Sequence, residues 1–125
     1  MVLRSLKEGF VEVMGLLEKA LDIRAFYHRI LAGNIANVET PGYKEKGIDF
    51  RKELDSLTND PAAAHIEVSE KSTSDDGIAA VDGNSVSLED QIVKMTENTL
   101  MFNSLVQMIN KKFSMIRYAI NEGRK

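Results

Sequence analysis

Few side chains in this sequence have the type and spacing to do chemistry. His28 and His65 stand alone, whereas an imidazole metal site needs several ligands converging on one point. Cysteine is absent, which excludes disulfides and thiolate metal sites. The acidic pairs Asp75-Asp76 and Glu89-Asp90 fall in a polar loop and at a helix start, where carboxylates are expected anyway. Ser and His occur, but nothing pairs them with an oriented acid, as an activated nucleophile requires. There is no Gly-rich phosphate loop. The chemistry that remains is hydrogen bonding by amides. Asn34 and Asn37, three residues apart, lie on one face of a helical turn, and each offers two donors and a two-lone-pair acceptor. Such amides can bond backbone groups or a neighbouring chain, or they can end a helix, where Asn tolerates the left-handed conformation. The residues exclude an enzyme and imply no cofactor. They leave an assembly protein or a binding adaptor.

The two amides belong to the stretch Asn34-Ile35-Ala36-Asn37-Val38-Glu39-Thr40-Pro41-Gly42-Tyr43, around which the chain is organised. Pro41 disfavours the helical region for Thr40 and cannot donate a backbone N–H, so a helix must stop here. Pro-Gly fits the two central positions of a type II turn, where Gly supplies the positive φ. The spacing therefore predicts a helix end followed by a sharp redirection.

Upstream, apolar residues recur at alternating spacings of three and four: Leu3, Leu6, Phe10, Val13, Leu17, Ala20, then Arg24, Tyr27 and Leu31. This is a heptad seam with one charged interruption, predicting a helix of about 30 residues and roughly 45 Å. Leu16, Ile23 and Ile30 form a flanking row. Ser5 and Glu8 have capping-box spacing, which would start the helix a few residues late. Gly9 and Gly15 each cost about 1 kcal/mol of helix stability relative to Ala, so the helix depends on partners. Arg24 reads either as a side chain whose charge leaves over the seam edge or as a register-fixing or interchain ion pair.

Downstream, Tyr43, Ile48 and Phe50 anchor a short extended segment, and Phe50, Leu54 and Leu57 share one side of a brief helix. Asp60-Pro61 opens a turn or caps a short Ala62-Ala63-Ala64 piece. His65-Ile66-Glu67-Val68 alternates like a strand. Residues 71–77 and Asp82-Gly83-Asn84-Ser85 read as a polar loop and a turn. A second long helix follows, opened by Ser87 and Asp90 in a capping-box arrangement. Its seam is Leu88, Ile92, Met95, Thr99, Phe102, Val106, Ile109, Phe113, Ile116 and Ile120, a period of 3.5 that implies a left-handed supercoil. A second row, Met101, Leu105, Met108, Lys112, Met115 and Ala119, lies beside it. Two seams call for neighbours on two sides, and only one other long helix exists within the chain.

The expected fold is mainly α: two long N- and C-terminal amphipathic helices packing as an antiparallel coiled-coil hairpin, joined by a turn-rich middle with short extended segments. One domain is expected, comprising an axial helix at 1–39, a turn-rich outer segment at 40–85 and a second axial helix at 86–125. The net charge of -3 argues against a nucleic-acid partner. No apolar run is long enough for a transmembrane helix, and the N-terminus lacks the continuous apolar core of a secretory signal. That places the chain in the cytoplasm unless a route without a cleaved signal exports it.

Asn34-Ile35-Ala36-Asn37-x-x-Thr40-Pro41-Gly42-Tyr43, following an N-terminal helix, resembles the signature of bacterial flagellar axial proteins, the rod, hook and hook-associated subunits. Lys44 and Ile48-Asp49-Phe50 are similar to the proximal-rod, FlgB-like subgroup of the basal-body rod proteins. So are Asp82-Gly83-Asn84-x-Val86-x-Leu88-Glu89 and Leu105-Val106-Gln107-x-Ile109-Asn110-x-Lys112-Phe113-Ser114-x-Ile116. Glu45 stands where the subgroup tends to have a small residue, and Gly47 where it tends to have a polar or acidic one. The resemblance implies a subunit of the periplasmic rod, packed helically with copies of itself and other flagellar rod proteins. It also implies contact with rotor and export-apparatus adaptor proteins at the rod base. Export would run unfolded through the flagellar type III machinery without a cleaved signal peptide, and the termini would fold on assembly. The alternatives are another rod or hook-base subunit and a cytoplasmic coiled-coil adaptor.

Overall fold

The structure, a computed structural model, describes residues 2–60, 65–70 and 86–123. The expected alanine piece at 62–64, the polar loop at 71–77 and the turn at 82–85 lie outside the described residues.

The first helix, α1, runs Val2–Ala36. Ser5 does not cap it. No breaker precedes Ser5, so the helix extends back to Val2, and Glu8 reaches Arg4 one turn earlier at 3.4 Å instead of folding back on Ser5. The other end is closed by Asn37. Its backbone N–H donates to the Gly33 carbonyl at 3.1 Å, and its side-chain Nδ2 donates to the same oxygen at 2.8 Å. Thr40 Oγ1 then donates to Asn37 Oδ1 at 3.1 Å. Asn37 thus ends the helix through its amide and not through left-handed backbone, since Gly42 is the one described residue with positive φ. Gly42 has φ 76°, and Tyr43 N–H donates to the Thr40 carbonyl at 3.2 Å. This is the turn that Pro-Gly predicts.

A two-residue strand, β1 (Lys46–Gly47), leads to the helix α2 (Phe50–Asn59). Asp49 caps α2 by accepting from Lys52 N–H at 3.2 Å. Lys19 of α1 donates to the Leu57 carbonyl at 2.8 Å, placing a cation at the negative end of α2. The expected strand at 65–68 is not formed. Glu67 N–H donates to the carboxylate of Glu53 at 3.0 Å, so that segment is held by a side chain. Backbone pairing begins two residues later, where β2 (Ser69–Glu70) runs antiparallel to β1 with Lys46 opposite Glu70.

The last helix, α3, spans Leu88–Gly123, with Ser87 Oγ accepting from Asp90 N–H at 3.4 Å at its start. The contacts Asn34–Gln91, Arg24–Asn98 and Phe10–Phe113 show that α3 returns along α1. The two helices form the expected antiparallel hairpin, with α2 and β1 packed against α1 and β2 paired to β1. The buried apolar side chains Ile23, Leu31 and Val86 lie in the half of the hairpin nearest the joint, and Leu17 lies close to the middle of α1. Toward the free end only two helices meet, and two helices cannot enclose each other's apolar residues.

Candidate assembly site at the joint and the helix faces

At the joint the sequence supplies a Pro-Gly turn that carries the chain back alongside the last turn of α1. That path brings Tyr43, Glu45 and Lys46 against Asn34. The Asn34 side chain is fully buried and uses its whole hydrogen-bonding capacity. Its Nδ2 donates to the Lys46 carbonyl and to Gln91 Oε1, both at 2.9 Å. Its Oδ1 accepts from Tyr43 OH and from Lys46 N–H, both at 3.1 Å. One amide therefore ties α1 to the returning strand and to α3. Gln91, also fully buried, passes the network on, with Nε2 donating to Glu45 Oε1 at 2.8 Å. Lys94 on the next turn of α3 donates to the same carboxylate oxygen. A buried carboxylate persists only when paired and hydrogen-bonded, and Glu45 is both.

One layer further along, Asn98 repeats the device. It is almost fully buried, and its Nδ2 donates to the Arg24 carbonyl at 2.8 Å. Arg24 Nη1 donates back to Asn98 Oδ1 at 3.4 Å, and the guanidinium lies 3.6 Å from the centroid of the Phe50 ring. Tyr27 meets the same ring edge-on at 4.9 Å. Burial lowers the pKa of Arg24, with Tyr27 acting in the opposite direction. Burial also raises the pKa of Tyr27, reinforced by Glu45 and Glu97 and opposed by Lys94 and Arg24. Of the two sequence readings of Arg24, the register-fixing one comes nearer, though its partner is an amide and a ring in place of a carboxylate.

The structure brings Asn34 and Tyr43 together directly and sets Asn37, Thr40, Pro41 and Gly42 as the turn that joins them. Ile35 is half-buried and Ala36 is exposed. In the expected seams, Leu17 and Leu31 are buried, and Phe10, Met95, Phe102, Val106, Ile109 and Ile116 are half-buried. Leu6, Val13, Ile92 and Phe113 are exposed, although the Phe113 ring meets Phe10 at 6.2 Å. The face that α3 turns to α1 combines Met95, Phe102, Ile109 and Ile116 with the row four residues earlier: Gln91, Asn98, Leu105 and Lys112. Sequence reasoning passed over Gln91 and Asn98 because an apolar count discards polar members of a heptad row. Their spacing of seven was the available signal. Glu45 was visible only as a departure from the family pattern.

Apolar rows flank that inward face on both sides. On one side Ile92, Phe113 and Ile120 are 51 %, 51 % and 53 % exposed, and on the other Met101, Met108 and Met115 are 53 %, 49 % and 57 % exposed. Residues 98–110 of α3 carry no charge at all. Exposed apolar rows along an uncharged stretch are the kind of surface that marks an interaction site. No helix among the described residues is long and apolar enough to cross a membrane, and no group of metal-ligating side chains occurs among them.

No family profile matches the chain. Curated relatives do. The flagellar basal body rod protein FlgB of Bacillus subtilis (strain 168) is 26% identical over 119 residues, covering 86% of this chain and 92% of the relative. That of Cereibacter sphaeroides (strain ATCC 17023) is 28% identical over 123 residues, covering 90% and 96%. That of Escherichia coli (strain K12) is 26% identical over 125 residues, covering 85% and 91%. Over most of its length the chain is thus similar to flagellar basal body rod proteins. That similarity accords with a hairpin whose long helices leave apolar rows exposed.

Proposed function

We propose that this chain is a structural subunit of the proximal rod of the bacterial flagellar basal body. It packs helically with copies of itself and with other rod proteins into the tubular drive shaft that transmits torque and lines the export channel. The observation that carries this reading is the pair of exposed apolar rows on α3, in a chain that aligns over 86% and 90% of its length with two rod proteins. A helix with one row against its own α1 and two rows free has places for two neighbours, and a head-to-tail contact that does not close builds an open filament. The segments 1–39 and 86–125 are the axial wall, and 40–85 is the outer segment. Asn34, Asn37, Thr40, Pro41, Gly42 and Tyr43 shape the joint between them. The exposed members of the two seams, Leu6, Val13, Ile92 and Phe113, are those that neighbours cover. At the rod base the partners are adaptor proteins of the rotor and export apparatus, and the chain reaches the periplasm through the flagellar type III machinery.

The test is to delete the gene in its host and image the basal bodies by electron cryotomography. The expected result is an inner-membrane rotor from which no rod extends. Complete rods would overturn the reading and move a cytoplasmic coiled-coil adaptor to the front.

A further inference from the structure

We propose that Gln91 and Asn98 are positioning residues that preset the rotation of α3 in the single chain, holding its strongest apolar row out for a neighbour. This rests on the rod-subunit reading for its consequence, but not for its geometry. The row Ile92, Thr99, Val106, Phe113 is the better packer by side-chain type, yet in the joint-side half of α3 it is Gln91 and Asn98 that are buried against α1 while Ile92 and Thr99 are exposed. Further along, Leu105 and Val106 are both half-buried and Phe113 reaches the Phe10 ring. Apolar burial alone would turn the helix the other way by about 50°, half of the 100° step between successive residues. What opposes it is geometric. Gln91 is bonded to both Asn34 and Glu45, and Asn98 to the carbonyl and guanidinium of Arg24. Turning α3 would break these bonds, leaving the buried Gln91 and Asn98 amides without them and costing Asn34 and Glu45 a partner each. A buried amide that fixes register and partner choice in a coiled coil acts in the same way.

Alanine at both positions removes the amides without adding an apolar competitor. The chain has no cysteine, so a single reporter can be introduced by Thr99→Cys or by Leu105→Cys. In the parent the reporter at 99 reacts severalfold faster with a thiol reagent, because Thr99 is exposed and Leu105 half-buried. In the Gln91→Ala, Asn98→Ala chain the order is expected to reverse, and the host cells are expected to lose swimming while the subunit is still made. The single variant Asn98→Ala should shift the rates in the same direction. An unchanged order in a chain that remains helical by circular dichroism overturns the proposal. So does loss of helix in both variants, which would make the amides merely structural, and so does a purified parent with no helical signal. A reversed order with normal swimming would uphold the rotation while removing the rod-subunit reading.

Discussion

Asn34 on α1 and Gln91 on α3 share a hydrogen bond of 2.9 Å in a place from which water is excluded, with both side chains fully buried. It is the point where the two axial helices and the outgoing strand are tied together. In Asn34→Ala the Lys46 N–H, the Tyr43 hydroxyl and Gln91 Oε1 all lose a partner. Each buried orphan costs about 1–3 kcal/mol, so a loss of about 3 kcal/mol or more is expected in urea denaturation of the purified chain. A loss below about 1 kcal/mol, within the range of an ordinary surface substitution, would mean that the network is not formed.

The turn makes a separate demand. A Cβ at Gly42 meets nothing within 4 Å, so the cost of Gly42→Ala is the backbone conformation alone, with φ at 76°. That is about 1–2 kcal/mol. Pro41→Ala adds a smaller loss through the freer unfolded chain. The double variant is expected to misdirect the outer segment and impair swimming in soft agar. Normal swimming would show that the joint angle does not matter.

Phe113 separates folding from assembly. It is half exposed and meets Phe10 edge-on, an arrangement worth about 0.5–1.5 kcal/mol. Phe113→Asp should therefore leave the joint-side half of the hairpin helical while excluding the subunit from isolated basal bodies. Finding the variant within a complete rod by immunoblot would contradict a covered row.

The phenol of Tyr27 gives a pH dependence. Burial raises its pKa, with Lys94 as the leading opposing influence. A group whose folded pKa lies above its unfolded value contributes stability that is fully present below the unfolded pKa. The contribution is lost as pH rises through the folded value. The chain is thus expected to weaken as the pH passes above about 10, the ordinary phenol pKa. Tyr27→Phe should remove that part of the alkaline loss. An identical alkaline profile in parent and variant, followed by circular dichroism, would rule this out.

Two glycines of α1 provide a control on helix strength. A Cβ at Gly9 or Gly15 meets nothing within 4 Å. Gly9→Ala and Gly15→Ala should each stabilise the free chain by about 1 kcal/mol. No gain in melting temperature would show that α1 is not helical there before assembly.

The helix boundaries near the joint, the Pro-Gly turn, α2 and the hairpin were all legible in the sequence, because each rests on local chemistry. Pro41 and Gly42 restrict the backbone wherever they stand, Asp49 and Ser87 cap whatever helix follows them, and a heptad period implies a partner helix. The likeness to flagellar rod proteins was legible from Asn34 through Tyr43 and from the tail motif. Ser5 and the segment 65–68 misled, since a capping pattern or an alternation specifies a structure only if nothing nearby offers a better bond. Tertiary structure alone decided which face of α3 looks inward. Apolar periodicity counts side chains one at a time, whereas the bonds of Gln91 and Asn98 exist only once Asn34, Glu45 and Arg24 have been brought from tens of residues away. A buried amide is unfavourable without its partners and locking with them, and its sign cannot be read until the fold has supplied them.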